Sequence, residues 1–267
     1  KYTVDSSNYT SYTDMLSPGQ LTMFSAYPDT YKIHVYDNSG ACQIPPEIKS
    51  ISQTNGTMIN DNEGFEVANV GQVPFPNPSE AQHLIWNTRM SSSLVSSVFR
   101  VATSTNVQAD GSIIIGQQET NIVFPRNPNT VSQYADKNIY AMFMQKNLGP
   151  PRSAGTTTLV HDFIDSYVQP RKAWQYNPAT RRVRRAPDIT YDTVLLAGGG
   201  IVVVDQYGGF NGAQDKYDWT YEGKKTMIVP AANEALAENA IETTHAQYHL
   251  NPDYVRYEER DVHVVHA

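Results

Sequence analysis

From Val98 onward the sequence alternates with a period of two, and no other feature leaves the chain so little freedom. Phe99, Val101, Thr103, Thr105 and Val107 fall on one side of an extended strand. Asp110-Gly111 is a hairpin-turn dipeptide, and Ile113, Ile115, Gln117, Glu119 and Asn121 run back from it. A slip of one residue would move all of these side chains to the opposite face, so the pattern specifies register as well as strand. Three further hairpins are expected. NIYAMFMQKNL pairs with TTTLVHDFI through the turn-rich GPPRSAG, KAWQYNPATRRVRRAP turns at Asn177-Pro178, and DWTYEGKKTMIVP turns near Glu222-Gly223. In NIYAMFMQ the alternation places Tyr140, Met142 and Met144 on one face and Ile139, Ala141 and Phe143 on the other. Both faces are apolar, so both are expected to be covered. The last strand, DYVRYEERDVHVVHA, runs to the final residue, and the chain is expected to hold an incomplete domain, lacking its C-terminal portion.

Helical signals gather near the front. In SPGQLTMFSAYP, Ser17 can cap, Pro18 suits the first turn, and Leu21 and Phe24 give an apolar stripe before Pro28. NPSEAQHLIWNTRM predicts a second helix with Asn77 as cap, Pro78 first and Glu80 completing a capping box, and with Ala81, Leu84, Ile85 and Thr88 on its inner side. TYKIHVYD reads as a strand, PPEIKSISQ as a short helix, and Asn55 to Gly64 as a loop. Residues 1–13 are polar and patternless and read as an arm, with one domain over residues 14–267. Consecutive hairpins behind a few helices make an α+β protein dominated by one large antiparallel meander.

Composition excludes several classes of function. No apolar run reaches the roughly 18 residues that a membrane-spanning helix requires. A formal charge of −7 argues against a nucleic-acid partner, which needs a basic face. Cys42 is the only cysteine, so neither an internal disulfide nor a cysteine-rich metal site can form. Enzyme signals are thin: there is no GxSxG and no HExxH, and Gly198 to Gly200 lacks the Lys-Ser/Thr of a phosphate loop. His161 and Asp162 are strand neighbours that point to opposite faces, so they are no dyad. Asp205, Asp215, Asp218 and Glu222 lack calcium-loop spacing, and the His245/His249 pair lies in a polar, Pro-bounded stretch. Neither a metal nor a cofactor is expected.

KAWQYNPATRRVRRAP, DQYGGFNGAQDKYDWTYEGKKTMIVP and HLNPDYVRYEERDVHVVHA, with LSPGQLTMFSAYPDTYKIHVYD and VGQVPFPNPSEAQHLIWN ahead of them, carry a resemblance over nearly all of the chain beyond residue 14. The sequence resembles a bacterial family of periplasmic proteins, a domain of unknown function grouped with the outer-membrane lipoprotein-sorting (LolA/LolB-like) proteins. That resemblance implies a curved antiparallel sheet, a half-open barrel rolled around helices, with an apolar cavity. It implies a Gram-negative periplasmic or outer-membrane setting, often beside RND-type transporters, and it transfers no cargo.

The expected function is therefore a periplasmic carrier or binding protein for a lipid or other hydrophobic molecule, and not an enzyme. The rival is an adaptor docked on a transporter, with no cargo of its own. Trp174 and Tyr176 alternate on one strand face and are cavity candidates, set against ordinary packing. Tyr140, Met142 and Met144 would supply a soft apolar wall. Trp86, on the apolar-striped helix, is a further candidate, for which core packing is the commoner explanation. Arg181, Arg182, Arg184 and Arg185 could meet an anionic headgroup or an acidic partner, or could be a solvated strand.

Overall fold

The computed structural model describes residues 1–40, 46, 57–60, 64–66, 73–91, 95–127, 129–134, 138–166, 168–187, 189, 192–194, 202–206 and 209–267. Cys42, Gly198 to Gly200 and all of the expected 45–53 helix except Pro46 lie outside them. The chain begins with β1 (Tyr2–Val4), a 3-10 segment (Tyr9–Met15), α1 (Pro18–Ala26) and β2 (Ile33–Tyr36). After β3 (Thr57–Asn60) and β4 (Gly64–Glu66) come α2 (Ala81–Ser91), β5 (Ser97–Val107) and β6 (Ile113–Val123). Next are β7 (Ile139–Gly149), β8 (Thr157–Phe163), β9 (Lys172–Asn177) and β10 (Arg182–Arg185). The chain ends with β11 (Thr220–Pro230), two short helices α3 (Glu234–Glu238) and α4 (Ile241–Thr244), and β12 (Arg256–His266).

These elements divide into two compact units. The first comprises Lys1–Gln43, Val107–Ser112 and Tyr221–His266. Its four-stranded sheet has the order β1-β2-β12-β11, with β1 antiparallel and β12 parallel to β2. The segment read as a polar arm is built into this sheet. Val4 is fully buried, Tyr2 stacks on Tyr12, and Tyr9 stacks on Phe24. Tyrosine rings thus supply the apolar surface that the segment's polarity conceals. α1 starts where its sequence says it should: Ser17 Oγ accepts from Gln20 N, and Gln20 Oε1 accepts from Ser17 N. β11 corrects one expected hairpin. It runs unbroken through Glu222-Gly223, because Gly223 takes a φ of 96° inside the strand. A glycine can serve a bulge-like kink as readily as a turn. Glu258, on β12, is fully buried and accepts from Ser39 N and Arg256 Nε, with Arg260 paired to its other oxygen. Burial pushes its carboxyl up, but these donors outweigh that and hold it at about 2.

The second unit comprises Ile44–Asn106, Ile113–Thr220 and Ala267. Its six-stranded sheet is a sequential antiparallel meander, β10-β9-β8-β7-β6-β5, open at β10 and β5. The fold is therefore the expected α+β architecture around a large antiparallel sheet. The hairpin at Asp110-Gly111 is present, with Gly111 at a φ of 83° and Gln108 N bonded to Ser112 O. At the last turn of the meander, Asn177 Oδ1 accepts from Ala179 N and Thr180 N, fixing the β9–β10 connection. The stretch expected to be a loop instead contains β3, which pairs with β4 in a separate two-stranded sheet. α2 begins at Ala81, three residues later than the Pro78 start that the Asn77 cap predicts. Its buried side is Ala81, Ile85, Trp86, Arg89 and Met90, while Thr88 is exposed.

Candidate ligand-binding face

The six-stranded sheet has two dissimilar faces, and strand parity decides which side chains share each. On one face α2 seats Trp86 and Met90 against Phe75, Phe124, Tyr140, Ala141 and Ile164, with Val98 and Ile122 beside them. Val160, Ala173 and Ala186 continue this layer along the sheet. The layer is filled. Trp86 is 1% exposed, and the Arg89 guanidinium, 3% exposed, lies 5.1 Å from both the Trp86 and Tyr140 rings and donates to Phe163 O.

The other face carries Trp174. Residues directly opposite in an antiparallel pair project to the same side. Met144 opposes Leu159, Leu159 opposes Trp174, and Trp174 opposes Arg185. In the neighbouring rows Met142 opposes His161, which opposes Lys172, and Thr157 opposes Tyr176, which opposes Val183. The His161 ring meets Trp174 edge-on at 5.1 Å. Trp174 and Tyr176 are half-buried, whereas Met144 is 40% and Val183 65% exposed. Burial, and next the Lys172 charge, hold the His161 imidazole below its ordinary pKa, against the opposing effect of Asp162.

Three expectations about the site are corrected by this geometry. Tyr140 does not share a face with Met142 and Met144. The register shifts between Ile139 and Ala141, a bulge that sends Tyr140 to the α2 side, where its hydroxyl donates to Arg89 O. Trp86 likewise belongs to the α2 layer, not to the Trp174 face. The Trp174 face also lies opposite the helix, so sheet and α2 do not enclose it between them. Clefts of about 240 and 270 Å³ lie in the first unit, and neither includes Trp174. The four arginines separate. Arg185 shares the face of Trp174, Arg184 turns away to donate to Gln175 Oε1 at 3.1 Å, and Arg181 sits in the turn with a φ of 52°. All four are exposed.

Leu159, His161 and Lys172 are members of the face that composition and alternation do not single out. Their signal is the register: TTTLVHDFI contributes one residue in two to the face that carries Trp174. His161 and Asp162 do point apart, the latter into a buried pair with Arg171. His245 and His249 bond separately, to the Ile241 carbonyl and the Thr30 hydroxyl. Among the described residues no group of three or more His, Cys, Asp or Glu side chains is placed to hold a metal ion.

The family model described as a protein of unknown function, DUF1329, matches residues 3–267. The chain belongs to the DUF1329 family. This is the domain of unknown function that the motif strings resemble. An uncharacterised Pseudomonas aeruginosa protein is 36% identical over 275 residues, which span 99% of this chain and 59% of that one. The chain thus spans about three fifths of the length of this relative. Among solved structures, a DUF1329 protein from Desulfovibrio piger is similar at a TM-score of 0.35 and 18% identity, covering 49% of this chain and 51% of that one. An outer-membrane lipoprotein-sorting protein domain from Vibrio parahaemolyticus is similar at 0.34 and 12%, covering 49% and 50%.

Proposed function

We propose that this DUF1329 chain is a carrier or binding protein of the Gram-negative periplasm that takes up a lipid or similar hydrophobic molecule on the Trp174 face. One observation carries the reading: the sheet has a filled apolar layer under α2 and a second, partly open apolar surface on its other side. A sheet face that only rounds off a soluble domain alternates to polar residues. Here Met142, Met144, Leu159, Trp174 and Tyr176 form an apolar stripe on that face, bordered by Lys146, Thr157, His161 and Lys172. Uptake would proceed by burial of apolar surface, at about 0.8 kcal/mol per methylene, and needs no catalytic group.

The test compares Trp174→Ala with wild type in a titration with a lipophilic fluorescent dye, each beside a melting curve. The expected result is a loss of roughly 1–3 kcal/mol in dye binding with the fold retained. If the variant unfolds, or the wild type binds no dye, Trp174 is a packing residue and the reading fails. A second reading, an adaptor docked on an RND-type transporter or an outer-membrane protein, draws on the edge strand β5. There Phe99 is 66% and Val101 60% exposed, a surface on which another protein can pair. Unchanged dye binding in the Trp174 variant, with loss of a co-purifying envelope protein in Phe99→Lys, would favour it.

A further inference from the structure

The charges around the Trp174 face narrow the ligand class, on the premise that this face binds a hydrophobe. Met144, Leu159, Trp174 and Arg185 stand opposite one another in turn across β7, β8, β9 and β10. The row is three strand spacings long, roughly 14 Å. Three apolar side chains lead to a guanidinium on the edge strand. Arg185 is exposed, and among the described residues neither it nor the neighbouring Arg181 and Arg182 has an ion-pair partner. Lys172, two residues before Trp174 on β9, holds its ammonium 4.9 Å over the Phe163 ring, and among the described residues it too has no carboxylate partner. Of the acids nearby, Glu119 faces Lys146 in the next row, and Asp162 is occupied by Arg171 on the other side of the sheet. Although the chain carries a net charge of −7, among the described residues these cations stand uncompensated beside the open apolar row.

We propose that the Trp174 face takes an anionic amphiphile, with its tail along Met144, Leu159 and Trp174 and its carboxylate or phosphate head against Arg185. The planar guanidinium fork matches both head groups through paired hydrogen bonds. A neutral head forgoes that pairing, and a cationic head is repelled.

Calorimetric titration of the whole chain with monomeric dodecyl phosphate, dodecanoate, dodecanol and dodecyltrimethylammonium tests this. Wild type, Trp174→Ala, Arg185→Gln and Arg185→Glu are compared, with a melting curve for each. Both anions are expected to bind at least about fivefold tighter than dodecanol, which corresponds to about 1 kcal/mol. Arg185→Gln should erase that preference while leaving dodecanol binding unchanged, Arg185→Glu should shift it toward the cationic probe, and Trp174→Ala should weaken all four. Equal binding of dodecanol and dodecyl phosphate by wild type, or a preference that survives Arg185→Glu, overturns the charge requirement and leaves the hydrophobe reading standing. Binding of no probe removes both. Sedimentation with phosphatidylglycerol vesicles without monomer binding also overturns the proposal, by making the face a membrane contact.

Discussion

Arg171 and Asp162 offer the sharpest test of what holds the larger unit together. Their side chains are 5% and 7% exposed, and they meet in a forked pair, Nε to Oδ1 at 2.5 Å and Nη2 to Oδ2 at 2.9 Å. The pair ties the end of β8 to the approach to β9, and Nη2 also lies 3.5 Å from Asn211 O. Removing only the cation leaves a carboxylate out of water with its charge unanswered. That loss typically costs 3–5 kcal/mol, whereas replacing both partners by apolar groups of similar volume is often nearly neutral. Arg171→Met is therefore expected to lower stability by about 3–5 kcal/mol. In a chain of this size that shifts the melting temperature by on the order of 10 °C. Asp162→Leu alone strands a buried guanidinium at a similar cost, so the combination with Arg171→Met should recover most of the loss, and the double-mutant cycle should give a coupling at least as large as the loss of either single variant. Urea unfolding at neutral pH, with the slope compared among variants, supplies the numbers. If the double variant is as unstable as Arg171→Met alone, the loss comes from packing around the guanidinium, and the charge argument is wrong.

Three further outcomes follow from the same geometry. Glu258 has a folded-state pKa of about 2 against an ordinary 4.5, so its contribution is complete above about pH 4.5 and fades as pH falls toward 2. In that window the unfolded chain binds more protons, and Glu258→Gln should flatten the dependence of the urea midpoint on pH; an unchanged slope rules out Glu258 as its source. Gly223→Ala should cost about 1–3 kcal/mol from backbone strain alone, because the φ of 96° disfavours a side chain while an added Cβ meets no atom within 4 Å. A neutral substitution there would contradict the strained kink in β11. Trp86→Ala should cost about 3–5 kcal/mol in urea unfolding, as a fully buried ring in a filled layer must; a loss below about 1 kcal/mol would mean that the layer under α2 is loosely packed.

Much of the larger sheet is legible in the sequence because its determinants are local. Asp110-Gly111 and Asn177-Pro178 mark turns with side chains that bond or bend their own backbone, and the observed hairpins turn there. Ser17 and Gln20 announce α1 within four residues. What escapes reading is set by distant partners. β12 lies parallel to β2 although more than two hundred residues separate them, and nothing local to Arg256–His266 states that. Gly223 shows a different limit, since a glycine between Glu222 and Lys224 signals positive φ without saying whether the chain reverses.

The candidate face depends most of all on parity, and parity is what a single extra residue spoils. Strict alternation through NIYAMFMQ puts Tyr140 with Met142 and Met144; the bulge at the start of β7 makes Tyr140 a core residue and leaves the methionines on the other side. Past the bulge the alternation holds across four strands, which is why Trp174 and Tyr176 can be paired by eye while Arg185 cannot be told from Arg184. The four arginines are equivalent in composition and charge, and only the pairing of β10 with β9 directs one of them to the apolar row. A one-residue slip of β10 would bring Arg184 opposite Trp174 and leave the cation at the end of the row in place, but would turn Val183 to the α2 side. Anion selectivity that survives Arg185→Gln therefore counts against the proposed head-group contact, and its loss in Arg184→Gln would show that β10 pairs with β9 in the slipped register instead.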